Sequence, residues 1–185
     1  MISILAGNKK GTHLTPCDSP SVRPTAQRTR EALFNILNGG RFECTLQGGV
    51  VIDCFAGSGA LGFEALSRGA DAAIFIEKDH RAIQVITRNR DKLGFQNSAH
   101  LLQADACQII EWRFGIADII FSDAPYDSGL SLSALTALCD AGAIGSETLI
   151  VVETRRKEPE QVSSAFTHLD NRHYGMAQLN FYKSS

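Results

Sequence analysis

The chain has 185 residues, a length that predicts one domain with a sizeable core, or one domain with a small extension. Hydrophobic residues make up 44% and charged residues 21% of the chain, which excludes disordered and fibrous proteins. No apolar run reaches the roughly 18 residues of a membrane span, and the N-terminal segment lacks the features of a secretory signal. Five cysteines without a C-x-x-C pair argue against a disulfide framework and a zinc site. We therefore expect a cytoplasmic protein with no membrane contact and no metal.

The net charge of −2 conceals two segments of opposite charge. Residues 1–41 contain six basic and two acidic residues, a net charge of +4, whereas the remaining chain contains twelve basic and eighteen acidic residues, a net charge of −6. A basic segment beside an acidic body is typical of proteins with a polyanionic partner, although a solvated terminus has the same composition.

The first 40 residues are predicted to form a small basic extension of the main domain. Residues 2–14 form a candidate β-hairpin that turns at residues 7–11, and residues 25–37 have one apolar face and predict a helix with Thr25 as its N-cap. Residues 41–185 are then the main domain.

From residue 50 onward, short apolar runs alternate with amphipathic stretches. Strands are predicted over residues 50–55, 72–77, 99–103, 117–122 and 148–153. Helices are predicted over residues 60–68, 81–93, 106–112 and 130–141. Two further strands, over residues 162–170 and 174–183, are predicted to form a hairpin with its turn at residues 171–173. The alternation indicates an α/β fold with a mostly parallel sheet that ends in an antiparallel hairpin.

A glycine-rich loop follows the first predicted strand of this sheet. Gly57 to Gly62 matches G-x-G-x-x-G between a strand and a helix, and Glu77 lies 20 residues after Gly57, where a carboxylate can hold a ribose diol. Asp53 argues against a dinucleotide, because a carboxylate beside the loop would repel a pyrophosphate. A cationic ligand such as S-adenosylmethionine suits this acid better. The alternatives are that Asp53 caps the loop's own amides and that Glu77 is a surface acid.

Two further acids end predicted strands. Asp105 could accept a hydrogen bond from an adenine amino group or cap the helix that begins at Ala106. Asp123 follows the fourth strand. Since ligands of α/β sheets bind at the carboxyl ends of the strands, these acids are expected to line one rim together with Asp53 and Glu77.

The run D-C-F-A-G-S-G-A-L-G resembles the first motif of class I S-adenosylmethionine-dependent methyltransferases, and the order of strands and helices is similar to their seven-stranded Rossmann-like sheet. The resemblance implies S-adenosylmethionine as cofactor. The residues that it implies for cofactor binding are Asp53, Phe55, Ala56, Gly57, Gly59, Glu77, Lys78, Asp105 and Ala106.

The turn Asp123-Ala124-Pro125-Tyr126 resembles the [D/N]-P-P-[Y/F] motif of amino-group methyltransferases, with Ala124 in place of the first proline. The resemblance implies that Asp123 and a backbone carbonyl accept hydrogen bonds from a planar amine while Tyr126 stacks on the target base. Ala124 retains the backbone carbonyl and loses only the fixed φ that proline supplies.

The segment from Arg23 to Leu37 resembles the R-P-T-x-x-R-x-R-E-A-L-F-N signature of RsmD-type 16S ribosomal RNA guanine-N2 methyltransferases, and the opening I-L-A-G-N-K-K-G-T-H-L is similar to their basic hairpin. The candidates for RNA contact are Lys9, Lys10, Arg23, Thr25, Arg28 and Arg30. Arg28 and Arg30 lie about 200° apart on a helix, so one of them could instead pair with a carboxylate.

The resemblance implies methylation of the N2 amine of a guanine in 16S ribosomal RNA, on the free RNA or the 30S subunit. Nothing in the sequence demands a dimer, so a monomer is expected. The alternatives are a methyltransferase that acts on adenine N6 or protein glutamine, a catalytically weak RNA-binding protein of the same fold, and an NAD-binding oxidoreductase, which Asp53 disfavours.

Overall fold

The computed structural model describes residues 2–17, 24–42, 44, 46–126, 128–156 and 164–184, with only the backbone described at residues 24–26. The helices are α1 (Pro24–Asn38), α2 (Ala60–Ser67), α3 (His80–Leu93) and α4 (Leu130–Asp140). The strands are β1 (Val50–Cys54), β2 (Ala72–Glu77), β3 (Ala99–Gln103), β4 (Ile119–Ser122), β5 (Leu149–Arg155), β6 (Phe166–Tyr174) and β7 (Ala177–Ser184).

The seven strands form one sheet in the order β3-β2-β1-β4-β5-β7-β6. β1 to β5 are parallel, and β7 pairs antiparallel with both β5 and β6. The strand order reverses between β1 and β4, which is the position where open α/β sheets bind ligands. The predicted Rossmann-like sheet with an antiparallel C-terminal hairpin is therefore confirmed.

The register of the parallel strands aligns their carboxyl ends. Cys54 of β1 pairs with Ile76 of β2 and with Ser122 of β4, and Ser122 pairs with Val152 of β5. The residue that follows each of these positions lies in one row across the sheet edge. That row contains Glu77, Phe55, Asp123 and Glu153.

Helices cover both faces of the sheet. One hydrophobic cluster packs α1, α2 and α3 against one face, and a second packs α4 and the segment after β3 against the other. The third glycine of the loop is required by this packing, because a Cβ at Gly62 would lie 2.4 Å from the Phe75 ring. Gly62 therefore lets α2 approach β2 closely.

The N-terminal hairpin packs against the main domain. Its two arms meet in an isolated antiparallel bridge between Ser3 and His13, and Ile4 and Leu14 are buried in the same cluster as the sheet. A Cβ at Gly7, whose φ is +81°, would lie 1.7 Å from the carbonyl oxygen of Ser67 in α2. The functional division at residue 40 stays a prediction, since the two segments share one core.

Three local predictions were wrong. Residues 171–173 lie inside β6, and the hairpin turns at Gly175 and Met176, where Gly175 has a φ of +61°. The predicted helix over 106–112 is a single 3₁₀ turn, Ala106–Gln108, because the next residue, Ile109, is extended and buried in the core. Helix α1 begins at Pro24, a favourable first helical residue, so Thr25 lies within the first turn and is not the N-cap.

None of the helices in the described segments is long and apolar enough to cross a membrane.

Candidate active site

A cleft of about 970 Å³ opens at the carboxyl edge of the sheet, around the point where the strand order reverses. Six carboxylates and three basic side chains line it, a formal charge of −3 when all are ionised. The acids are Asp53, Glu77, Asp79, Asp105, Asp123 and Glu153, and the basic residues are Arg30, Lys78 and Arg155. The volume and the charge suit a ligand that carries positive charge.

The glycine loop is held in an unusual backbone conformation at one end of this cleft. Phe55 has a φ of +60°, in the left-handed region that non-glycine residues rarely adopt, and Gly57 has a φ of +54°. Glu77 fixes the loop: Oε2 accepts a hydrogen bond from the amide of Gly57 at 3.0 Å, and Oε1 accepts one from Asp79 at 2.9 Å. Ala56 is buried, and its amide donates to the carbonyl of Ile76 in β2.

Asp53 is buried beneath the loop and caps the start of α2. Its Oδ2 accepts a hydrogen bond from the amide of Gly62 at 2.9 Å, as the alternative of a capping role predicted. Burial raises the pKa of Asp53 to about 7, with a smaller contribution from Glu77, while the hydrogen bond from Gly62 opposes the shift. A cationic ligand beside Asp53 would favour its ionised form.

Asp105 has the capping role that the sequence left open. Its Oδ1 accepts a hydrogen bond from the amide of Cys107 at 3.0 Å, at the start of the 3₁₀ turn. Its Oδ2 lies 3.7 Å from Nζ of Lys78, which is exposed. Ala106 is buried beside it. The capping contact occupies one carboxylate oxygen, and the other faces the Lys78 side of the cleft.

These residues fit S-adenosylmethionine by the chemistry of their groups. The cofactor half of the cleft offers carboxylates and backbone amides, which suit an ammonium, a sulfonium and a ribose diol and disfavour a pyrophosphate. A Cβ at Gly57 would meet only open space apart from one backbone oxygen at 3.9 Å, so this position leaves room for a ligand at the loop.

The raised pKa of Asp53 predicts a pH-dependent stability. In the absence of ligand the folded protein binds a proton at Asp53 up to about pH 7, whereas the unfolded chain releases it near pH 3.8. The contribution of protonated Asp53 to the free energy of unfolding is therefore fully present below about pH 3.8 and is lost as the pH rises to about 7. The free energy of unfolding of the wild type, relative to Asp53→Asn, is expected to fall between pH 4.5 and 7.5 in denaturant titrations. A difference that stays constant over this range would contradict the prediction.

The second half of the cleft contains the Asp123-Ala124-Pro125-Tyr126 turn. The hydroxyl of Tyr126 donates a hydrogen bond to Oε1 of Glu153 at 2.8 Å, and the guanidinium of Arg155 lies 5.7 Å from the centre of the Tyr126 ring. Ala124 is buried, and the carbonyl of Pro125 accepts a hydrogen bond from the hydroxyl of Ser128. The turn is therefore held by β5 on one side and by the start of α4 on the other.

Asp123 and Glu153 form a pair of acids at the ends of neighbouring strands. Asp123 is exposed at the wall of the cleft, where reduced hydration raises the pKa of its carboxyl group, with further contributions from Glu153 and Asp53. Burial also raises the pKa of Glu153, against the opposing effect of the hydrogen bond from Tyr126. A carboxylate with a raised pKa is a stronger proton acceptor than an ordinary one.

The predicted RNA-contact residues lie in different places. Lys10 and Arg28 are exposed and Lys9 is half-buried. Arg30 is only 7% exposed, and its guanidinium donates to the carbonyl of Ser3 at 2.6 Å. Burial lowers the pKa of Arg30, while nearby Glu64 opposes the shift. Arg30 therefore points into the molecule, whereas Arg23 lies outside the described residues and the Thr25 side chain is not described.

Sequence analysis missed Glu153 and Arg155. Glu153 is an acid at the carboxyl end of the fifth predicted strand, which is the same signal that identified the other acids of the site. Its contact with Tyr126 joins residues 27 positions apart, and only the sheet brings them together.

The sheet order, the antiparallel β7 and the glycine loop at the point of reversal together define a class I methyltransferase fold. The family described as Conserved hypothetical protein 95 matches residues 2–183, and the chain belongs to it. Ribosomal RNA small subunit methyltransferase D of Escherichia coli K12 is 38% identical over 153 residues, which cover 83% of this chain and 74% of that protein.

Two further proteins are similar over almost their whole length. Ribosomal RNA small subunit methyltransferase D of Haemophilus influenzae is 30% identical, with 99% of this chain and 94% of the relative covered. The solved structure of the Escherichia coli protein yhhF superposes with a TM-score of 0.83 at 32% identity, with 100% of this chain and 98% of that chain covered. The predicted family relationship is therefore confirmed.

Proposed function

We propose that this protein transfers a methyl group from S-adenosylmethionine to the N2 amine of a guanine in small-subunit ribosomal RNA. Its membership in a family with ribosomal RNA methyltransferases supports the RNA substrate. The observation that carries the proposal is that one cleft contains two half-sites. The cofactor half-site is formed by the glycine loop and Asp53, and the substrate half-site beside it is formed by the turn that contains Asp123 and Tyr126.

When bound, the cofactor supplies a methyl group on a positively charged sulfur. Asp53 would place negative charge near this cation, Glu77 would face the ribose diol and Asp105 the adenine amino group, and the loop from Phe55 to Gly59 would contact the cofactor through backbone groups. Lys78 and Ala106 lie at the Asp105 end of the same half-site.

The substrate half-site supplies acceptors and a stacking surface. The exocyclic amine of guanine is a weak nucleophile because its lone pair is delocalised into the ring. The Asp123 carboxylate and a backbone carbonyl of the Ala124-Pro125 turn would accept hydrogen bonds from the two N–H groups. These bonds would orient the nitrogen lone pair toward the methyl group, which lowers the barrier to transfer. Tyr126, fixed through its hydroxyl by Glu153, would stack on the base and contribute about 1–3 kcal/mol.

Methylation leaves an extra proton on the amine nitrogen, and the acids of the cleft can receive it. Asp123 accepts the amine hydrogen bond, so it is the first group that the proton meets. Its raised pKa, caused by lost hydration and by the neighbouring acids, makes the Asp123 carboxylate a stronger proton acceptor than an ordinary aspartate.

The proposal extends to the partner and the setting of the reaction. Lys9, Lys10, Arg23 and Arg28 are proposed to contact RNA phosphates, on the free 16S RNA or on the 30S subunit. The protein is proposed to act as a monomer in the cytoplasm, where its substrate is made.

Product analysis tests this function. Wild-type protein is incubated with radiolabelled S-adenosylmethionine and either undermethylated 30S subunits or free 16S RNA, and the labelled nucleoside is identified after digestion. Label in N2-methylguanosine is expected. Label in N6-methyladenosine or in ribosomal protein would refute the guanine assignment, and cofactor binding without transfer to any substrate would indicate an RNA-binding protein of the same fold.

A further inference from the structure

Three basic residues of α3 lie in one line along the helix. Arg81, Arg88 and Lys92 are spaced by seven and four residues, which places them within about 40° of each other around the axis. All three are exposed, whereas the buried side of the helix is formed by other residues. We call these three residues the cationic stripe.

The cationic stripe is continuous with the N-terminal hairpin at its Lys92 end. Nζ of Lys92 donates a hydrogen bond to the carbonyl of His13 at 2.6 Å, and Asn89 of α3 exchanges two hydrogen bonds with the backbone of Thr15. Nζ of Lys9 lies 5.5 Å from the centre of the Phe95 ring, two residues after α3 ends. The hairpin and the stripe therefore form one basic surface.

The opposite end of the stripe reaches the rim of the cleft. Arg81 lies in the first turn of α3, which is capped by Asp79, a residue of the cleft lining. Arg81 and Lys92 are eleven positions apart, a distance of about 17 Å along the helix axis. The stripe thus connects the hairpin to the cofactor side of the cleft.

Helix stability does not account for all of these charges. The helix dipole and the hydrogen bond to His13 favour Lys92 in the last turn, but they do not account for the two arginines. Arg88 is repelled by Lys92 four residues on, and Arg81 lies at the helix N-terminus, where the helix dipole disfavours a cation. Asp91, the acid within the helix, pairs with Arg90, and no described residue forms an ion pair with the stripe. A line of cations without acidic partners, on a main domain whose net charge is negative, is suited to binding a polyanion.

We infer that the cationic stripe binds the phosphates of the RNA substrate, along a path from the hairpin to the cleft. The inference rests on the proposed function, which supplies an RNA substrate, and it adds a surface outside the N-terminal extension. Because Arg81, Arg88 and Lys92 contact phosphates and not bases, their contribution is independent of sequence and depends on salt.

The test measures the affinity for free 16S RNA as a function of salt concentration. It compares the wild type with the double variant Arg81→Gln/Arg88→Gln. These two side chains form no hydrogen bond seen among the described residues, so the variant removes only charge. Each lost phosphate contact to a single strand reduces the slope of log K against log salt by about 0.7, so the double variant is expected to lose about 1.4. The matched control is Arg113→Gln/Lys183→Gln, which removes the same charge from exposed Arg113 and from Lys183 at the amino edge of the sheet, where its surface ion pair with exposed Glu147 contributes little to stability. The control is expected to keep the wild-type slope.

Thermal unfolding and S-adenosylmethionine affinity of both variants are measured in parallel, and both are expected to match the wild type. Equal slopes for the wild type and the stripe variant, or equal losses in the stripe variant and the control, would overturn the inference. Failure of the proposed function has a separate signature, since wild-type protein would then leave N2-methylguanosine unlabelled whatever the stripe does.

Discussion

Asp123→Ala is expected to lower kcat for methyl transfer to RNA by about 10²–10³-fold, with little change in the affinity for S-adenosylmethionine. Asp123 lies in the substrate half of the cleft, outside the glycine loop that Glu77 and Gly57 fix. The substitution removes the acceptor that orients the amine and the group that receives its proton. Loss of one such preorganised polar contact typically has an effect of this size.

Single-turnover methylation and cofactor titration, performed on the same preparation, separate the two effects. Asp140→Ala, which removes an exposed acid at the end of α4, serves as the matched control and is expected to retain wild-type rates. Tyr126→Phe removes only the hydroxyl that contacts Glu153, keeps the stacking ring, and is expected to lower the rate less than Asp123→Ala. Wild-type kcat in Asp123→Ala would refute the role assigned to this carboxylate.

Glu64→Ala is expected to destabilise the fold by about 3–5 kcal/mol, because it leaves buried charges without a partner. Glu64 of α2 is fully buried and accepts hydrogen bonds from the amides of Leu5 and Ala6 at 2.7 and 3.0 Å. It also forms an ion pair with Arg68 at 2.7 Å and lies close enough to Arg30 to favour its charged form. This one carboxylate therefore holds the N-terminal hairpin against α2.

Denaturant unfolding measures the loss, with Glu111→Ala as a control at an exposed position of the same residue type. The control is expected to stay within about 0.5 kcal/mol of the wild type. Glu64→Gln keeps the side-chain shape and one acceptor oxygen, so it is expected to lose less stability than Glu64→Ala. A loss below 1 kcal/mol in Glu64→Ala would show that the hairpin is held by its apolar contacts through Ile4 and Leu14.

Most of the sheet could be predicted because its signals are local. Buried parallel strands are short apolar runs, and Gly94 ends α3 with a φ of +73° where the sequence predicted a helix stop. The errors fell where local composition misleads. Asn171 to His173 are polar residues typical of a turn, yet they belong to β6, an edge strand that presents polar side chains to solvent.

The acids of the site were recognised individually but not as a set of contacts. The spacing of 20 residues from Gly57 predicts that Glu77 belongs to the site, and the sheet brings its carboxylate within 3.0 Å of the Gly57 amide. Arg28 and Arg30 look alike in the sequence, and only packing separates them, since α1 turns Arg30 inward toward Ser3 and leaves Arg28 exposed.

The fold class and the position of the glycine loop follow from the amino-acid sequence, because apolar runs, glycine spacing and strand-end acids are encoded within short segments. Which distant groups meet depends on how those segments pack. The row that places Asp123 beside Glu153 depends on the register of β4 and β5, and the basic surface that joins the hairpin to α3 depends on how Lys92 meets His13. These contacts span 30 to 79 residues, a separation over which no local pattern carries information.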